Sequence, residues 1–208
     1  MYRIAKKSDI VVTNPPFSLF REHVAQLLEY KKKFLIIGNI NAITYKENFP
    51  LIRANKLWLG VSISSGDREF IVPPHCFQEI GNHRTDENGI HYARVMGVRW
   101  FTNLDHAKRH EDIILYKKYT PEEYAEYDNY DAIEVSKVAT IPMDYKGIMG
   151  VPISFLDKYN PKQFEIVGMS SSAGYNAEIV GIPFLGNKDA RPLINGKNTY
   201  ARVFIKKI

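Results

Sequence analysis

Within its first forty residues the chain reads strand, stiff corner, helix, strand, and that order limits the fold more than any other feature. Residues 9–13, DIVVT, make a short apolar run rich in β-branched side chains, which predicts a buried strand. Asn14, Pro15, Pro16 and Phe17 end it. Each proline fixes its own φ, offers no N–H and holds the residue before it extended, so the chain must turn a rigid corner here. Residues 18–33, SLFREHVAQLLEYKKK, then place Leu19, Phe20, Val24, Leu27 and Leu28 at helical spacing. Ser18 is the expected N-cap, and the three lysines suit the C-terminal end of the helix dipole. A second apolar strand, FLIIGN, follows at residues 34–39. Two strands joined through a helix run parallel, so the predicted class is α/β.

The pattern continues less regularly. Residues 42–55, AITYKENFPLIRAN, predict a helix interrupted near Pro50, and residues 56–63, KLWLGVSI, a third strand. Residues 64–92 are polar, with two adjacent prolines and three glycines, and read as a long surface insertion. Residues 93–104, ARVMGVRWFTNL, predict a further strand. Beyond residue 104 the expected elements are a strand at 112–119, a short helix at 121–127 and a strand at 131–137. A loop-rich stretch and two closing strands, at 163–172 and 199–208, complete the chain. A boundary near residue 105 divides the chain into residues 1–104 and 105–208.

Composition narrows the class of protein. The 208 residues are 45% hydrophobic and 25% charged, enough for one large domain or two small ones. No run of eighteen apolar residues is present, so no membrane span is expected. The N-terminal residues lack the apolar core of a signal peptide, and one cysteine, Cys76, excludes an internal disulfide framework. Both point to a cytoplasmic protein. The net charge of +5, with lysines clustered at 31–33, 117–118 and 206–207, is compatible with a polyanionic partner.

The corner after the first strand carries the chemistry. In parallel α/β sheets, ligands bind beyond the C-terminal ends of the strands. There the Asn14 carboxamide and the Pro15 carbonyl are two acceptors on a stiff loop. Two acceptors converging on one NH2 group match the exocyclic amine of adenine. That amine is a poor nucleophile, because its lone pair is delocalised into the ring. Holding both N–H bonds draws the nitrogen toward tetrahedral geometry and stabilises the charge that develops on attack. Phe17 offers a flat face on which a base taken out of the duplex can stack.

Asn14-Pro15-Pro16-Phe17 resembles the (D/N)PP(F/Y/W) motif of S-adenosylmethionine-dependent amino-methyltransferases of DNA. Together with DIVVTNPPFSLFREHVAQL and the later GIMGVPISFLDKYNPKQFEIVG (residues 147–168), it resembles the EcoRI-type adenine-specific methyltransferases, from about Ser8 to the C-terminus. The resemblance implies a site-specific DNA adenine-N6 methyltransferase of a restriction–modification system, with double-stranded DNA as partner and S-adenosylmethionine as cofactor. It implies a partial Rossmann-like methyltransferase sheet, whose last strand is antiparallel, followed by a mixed, β-rich DNA-recognition region from about residue 105. Asn14, Pro15, Pro16 and Phe17 are then the catalytic residues.

One part of the family pattern is missing. The cofactor loop, written FxGxG, follows the first strand of the sheet and lies well upstream of the catalytic motif. Here thirteen residues precede Asn14, and no G-x-G occurs among the thirteen glycines. Three readings follow. The chain is a truncated or split methyltransferase; or it is permuted, with FEIVGMSSSAG (residues 164–174) as the cofactor loop; or it is a non-catalytic DNA-binding module or partner subunit. An incomplete sheet exposes an apolar edge, so self-association or a second chain that completes the sheet is expected.

The remaining polar residues divide simply. His75, Cys76, His83 and His91 are metal-ligand types in one insertion, but their spacing matches no zinc pattern, so no metal is expected. His106 and His110, four apart, suit one helix face, and Lys108 and Arg109 suit a solvated basic turn near phosphate. Lys117, Lys118, Arg191, Lys197 and Arg202 are the candidate contacts to the DNA backbone. The SSSAG run at residues 170–174 offers hydroxyls and N–H groups to a phosphate or a base edge.

Overall fold

A computed structural model describes residues 7–61, 68–77, 82–170 and 191–208, without the side chains of residues 68, 76 and 77. In chain order the first part contains strand β1 (Ile10–Thr13), helix α1 (Phe20–Glu29), β2 (Lys33–Asn39), helix α2 (Phe49–Arg53) and β3 (Trp58–Leu59). Then follow β4 (Arg68–Ile71), helix α3 (Pro74–Phe77), β5 (His83–Thr85), β6 (His91–Val95) and β7 (Val98–Thr102). The second part contains β8 (Ile133–Glu134), β9 (Met149–Pro152), β10 (Phe164–Met169), β11 (Leu193–Ile194), β12 (Lys197–Asn198) and β13 (Arg202–Lys207). The chain is mixed α/β and strand-rich, with several separate sheets. It divides into two compact units, residues 1–42 with 59–104, and residues 43–58 with 105–208.

The first unit is built on a four-stranded sheet in the order β1-β2-β7-β3. β1 and β2 are parallel, with Ile10 opposite Lys33 and Thr13 opposite Ile36, as the helical connection demands. β7 runs antiparallel to β2, pairing Leu35 with Thr102 and Asn39 with Val98. Phe20, Val24 and Leu27 of α1 are buried, as are Phe34 and Ile36 of β2 and Phe101 of β7. The rings of Phe20 and Phe101 meet edge to face at 4.9 Å. Asn103 fastens the start of β2: its carboxamide accepts the Phe34 N–H at 2.9 Å and donates to the Lys32 carbonyl at 2.8 Å. The opposite side of β1 is bare, with Ile10 50% and Val12 64% exposed.

The insertion at 64–92 is structured among its described residues. β4, β6 and β5 form their own antiparallel sheet, with Phe70 opposite Ala93 and Thr85 opposite His91. The expected single strand at 93–104 is therefore two. The chain reverses at Gly97, whose φ of +69° is a conformation glycine adopts without strain, and β6 and β7 enter different sheets.

The second unit is organised by the sheet β10-β13-β9-β8. β13 pairs antiparallel with both β10 and β9, and β8 runs parallel to β9. Met149, Val151, Phe155, Phe164, Met169, Val203, Phe204 and Ile205 are fully buried in its core. The expected closing strands are present as β10 and β13, the strand at 131–137 shortens to β8, and β9 lies within the stretch read as loop.

Several local expectations are corrected. Ser18 does not cap a helix: residues 17–19 form a 3₁₀ turn, with the Leu19 N–H on the Pro16 carbonyl at 2.9 Å, and α1 begins only at Phe20. The lysines at 31–33 lie beyond α1, Lys31 at φ +51° reversing the chain and Lys33 opening β2. Pro50 sits in the first turn of α2, where its missing N–H costs nothing, so it starts that helix rather than breaking it. The third strand contracts to β3. No strand forms at 112–119 beyond a bridge from Lys117 to Pro142, because the Gln163 carboxamide takes both backbone groups of Ile113 at 2.8 Å. Residues 121–127 are not helical; the Tyr127 N–H bonds the Ala132 carbonyl at 3.0 Å, and Glu126 bridges Ile133.

Candidate functional site

β1 delivers Asn14 at its C-terminal end, beside a parallel neighbour that continues to Asn39. At that end of the sheet the first unit gathers several polar backbone and carboxamide groups. The Asn39 carboxamide accepts the Asn41 N–H at 2.9 Å and donates to the Met96 carbonyl at 3.3 Å, while the Ile40 N–H bonds the Gly97 carbonyl at 2.7 Å. These bonds hold the end of β2 and the turn into β7 together, and they fix the edge on which the corner stands.

The corner divides its residues between core and solvent. Pro15 is buried; Asn14, Pro16 and Phe17 are exposed, the Phe17 ring by 39%. Pro16 holds φ −54° and ψ 130°, which turns the chain straight into the 3₁₀ turn and α1. Buried Phe20, at the head of α1, anchors the far side. The loop is thus fixed at both ends, with its carboxamide and its aromatic ring directed away from the core. A buried Asn14 and Phe17 would have excluded any external base, and this arrangement does not.

His23, which sequence reasoning did not single out, lies one turn into α1. Burial lowers its pKa below the ordinary 6.5, and its Nε2 is buried without a hydrogen-bond partner. Nothing in the local sequence pattern marks it, since its position on the flank of the apolar stripe depends on packing.

The other candidates are scattered. Lys117 donates to Glu123 at 2.6 Å, and that carboxylate raises its pKa. Lys118 and Lys197 are exposed, and Arg191 is half-buried with its carbonyl bonded by Asn129 at 2.9 Å. Two cations are corrected. Arg202 is buried and forked onto Glu134, with Nη2 to Oε1 at 2.6 Å and Nε to Oε2 at 3.0 Å, and the Tyr127 hydroxyl donates to the same carboxylate. Arg109 is 7% exposed, its guanidinium 3.7 Å from the centre of the Trp58 ring and bonded to Asn55 Oδ1 at 3.1 Å. Neither is presented to a phosphate. His106 and His110 do not share a helix face, because the segment is a four-residue 3₁₀ turn in which His110 bonds Asp105 at 2.8 Å.

Among the insertion histidines, His91 Nδ1 lies 2.9 Å from Thr85 Oγ1. No group of three metal-ligand side chains occurs among the described residues. Residues 171–174 of the SSSAG run and the side chain of Cys76 lie outside what the structure describes; Ser170 is buried, its hydroxyl accepting the Arg202 N–H at 2.7 Å. No helix among the described residues is long and apolar enough to cross a membrane.

A stiff NPPF corner at the C-terminal end of a parallel strand narrows the candidates, and the family comparison decides between them. The model of the family described as adenine-specific methyltransferase EcoRI matches residues 2–208. The chain belongs to the EcoRI-type adenine-specific methyltransferase family. It is 51% identical over 206 residues to the Type II methyltransferase M.EcoRI of Escherichia coli, covering 98% of this chain and 59% of that protein. It is 36% identical over 217 residues to the Type II methyltransferase M.MpnI of Mycoplasma pneumoniae, covering 98% and 65%. The chain thus spans about three fifths of the length of these curated relatives. No solved structure matches it.

An adenine methyltransferase family implies S-adenosylmethionine as donor. The described residues do not by themselves make a site for it. Among the described residues β1 is the last strand on its side of the sheet, and no strand beyond it carries a glycine loop for the donor. Ile10 and Val12 are exposed on one face of β1, an apolar surface rather than a polar nucleoside cradle.

Proposed function

We propose that this chain carries the catalytic loop and the DNA-recognition region of a site-specific DNA adenine-N6 methyltransferase of a restriction–modification system. The observation that carries the reading is the split of the corner: Pro15 buried, Asn14 and Phe17 exposed, at the C-terminal end of β1. In this reading Asn14 Oδ1 and the Pro15 carbonyl accept the two N–H bonds of a flipped adenine, Pro16 sets the loop, and Phe17 stacks on the ring. The parallel β1–β2 pair and antiparallel β7 support a partial Rossmann-like methyltransferase sheet over residues 1–104. Residues 105–208 are assigned to target recognition, with Lys118, Lys197, Lys117 and Arg191 toward the DNA backbone.

S-adenosylmethionine supplies the methyl group, held by a segment this chain does not contain. That segment, or a second chain, supplies the strand that pairs along the open edge of β1 and the element that covers Ile10 and Val12 on its exposed face. The test is Asn14→Ala in the enzyme that carries the complete sheet, measured by transfer of labelled methyl to duplex DNA. Loss of about 10²–10³-fold or more in rate, with an unchanged melting curve, is the expected outcome, since preorganised acceptors of this kind contribute that much. Normal turnover by the variant refutes the catalytic role.

A second reading, a DNA-binding module without chemistry, is favoured by the same marginal position of β1. Methyl transfer to duplex DNA, assayed after this chain is combined with a segment that completes its sheet, separates the two: a module without chemistry gives none. Micromolar binding of S-adenosylmethionine by these 208 residues alone would contradict the assignment of the donor site to a missing segment.

A further inference from the structure

Near the C-terminus of the second unit a small hairpin has a tightly held body and a bare tip. β11 and β12 pair antiparallel, Leu193 opposite Asn198 and Ile194 opposite Lys197. Asn195 at φ +51° and Gly196 at φ +73° form the turn between them, the left-handed pair that matches the twist of a two-residue hairpin. So short a ribbon has little stability of its own. Its neighbours supply it.

The Asp128 carboxylate accepts the N–H groups of Asn195 at 3.3 Å and Gly196 at 2.7 Å, and the Asp128 N–H bonds the Leu193 carbonyl at 2.8 Å. The Asn129 carboxamide accepts the Leu193 N–H and donates to the Arg191 carbonyl, both at 2.9 Å. The Thr199 N–H and hydroxyl reach the Pro192 carbonyl at 2.8 and 3.0 Å. Ile194 packs on the core cluster of Tyr127, Tyr130, Ala132 and Phe204.

All of these anchors act on backbone or on the inner face. The side chains of Asn195, Lys197, Asn198 and Tyr200 are exposed, Tyr200 by 84%, and none of the four bonds a described residue. Packing explains the root of the hairpin and leaves the tip without a role. What the tip presents is two carboxamides, one ammonium and one phenol on a ribbon two strands wide. A carboxamide donates and accepts at once, which is the complement of the adenine N6/N7 edge. A two-stranded ribbon fits the major groove of B-form DNA. Lysine and tyrosine are phosphate partners.

We propose that the hairpin of β11 and β12 is a base-reading ribbon: Asn195 and Asn198 contact base edges in the major groove, while Lys197 and Tyr200 hold the flanking phosphates. The proposal rests on the reading of this chain as part of a DNA-modifying enzyme and adds the residues that set its sequence preference.

The test is selection from a random-sequence duplex library by the full 208-residue chain, wild type against variants. Asn195→Gly keeps the left-handed turn and removes one carboxamide; Asn198→Ala removes the other from an exposed site. Each variant should lose preference at one position of the selected sequence, by about 5- to 150-fold, with an unchanged melting curve. Lys197→Gln should weaken all duplexes about equally and reduce the salt slope by about one. If the wild type selects a sequence and both asparagine variants select the same one with equal strength, the base-reading role is overturned and the DNA-binding reading stands. A wild-type chain with no sequence preference overturns both.

Discussion

Gly38 ties the core of the first unit to the corner that carries Asn14. It lies in β2 opposite Arg99 of β7, beneath the ring of Phe20. A Cβ at this position would stand 2.5 and 2.8 Å from Cε2 and Cζ of Phe20 and 2.9 Å from Cε2 of Phe101. Carbon atoms rest at about 3.5–4.0 Å, so Gly38→Ala creates roughly 1 Å of overlap. Neither ring can swing into solvent, because Phe20 is 1% and Phe101 0% exposed. Overpacking of this kind costs about 1–3 kcal/mol, offset by about 0.5–1 kcal/mol from replacing glycine in a strand. The expected net loss is about 1–2 kcal/mol, read by urea denaturation followed through tryptophan fluorescence. Phe20→Leu shortens the offending side chain. The double variant should therefore be no less stable than Phe20→Leu alone, a coupling of about 1 kcal/mol between touching residues. A Gly38→Ala protein as stable as wild type, or strict additivity in the double variant, refutes the packing argument.

Three further outcomes are expected. Arg202→Met strands the Glu134 carboxylate, in a pair whose side chains are only 11% and 13% exposed, and should cost about 3 kcal/mol; Arg202→Met with Glu134→Gln should cost clearly less, by thermal melting. Arg109→Lys keeps the charge but loses the planar stack on Trp58 and the bond to Asn55, for about 1–2 kcal/mol and a shift in tryptophan emission. His23 has its pKa lowered by burial, so the unfolded chain binds the extra proton first. Its contribution is complete above the unfolded value of 6.5 and is lost as pH falls from there through the lower folded value. Stability measured from pH 7.5 to 5 should fall less steeply in His23→Gln, and equal slopes refute the assignment.

Where strand and turn signals are local, the sequence was readable. The runs IVVT and KFLIIGN stand as strands within a residue of expectation, and FEIVGM and RVFIKK as strands inside the longer runs expected at 163–172 and 199–208. Several of the misreadings share one cause, a long-range partner that competes with local preference. Tyr124 and Tyr127, three apart, resemble a helical stripe, yet their hydroxyls bind the Thr140 carbonyl at 2.7 Å and the Glu134 carboxylate, and the segment goes no further than a turn on the Thr120 carbonyl. Residues 93–104 carry β pattern throughout, and only the reversal at Gly97 divides them between two sheets. Arg109 and Arg202 look like surface cations in sequence, because neither Trp58 nor Glu134 is near them along the chain.

The sequence by itself determined the family and the corner: a β-branched run, two prolines and an aromatic residue state their backbone geometry without help from the rest of the molecule. Only the tertiary structure decided which side chains the corner turns outward, which arginines are consumed inside the second unit, and that among the described residues β1 is the outermost strand of its sheet. Burial and pairing depend on groups tens of residues apart meeting in space, and no local pattern encodes that encounter.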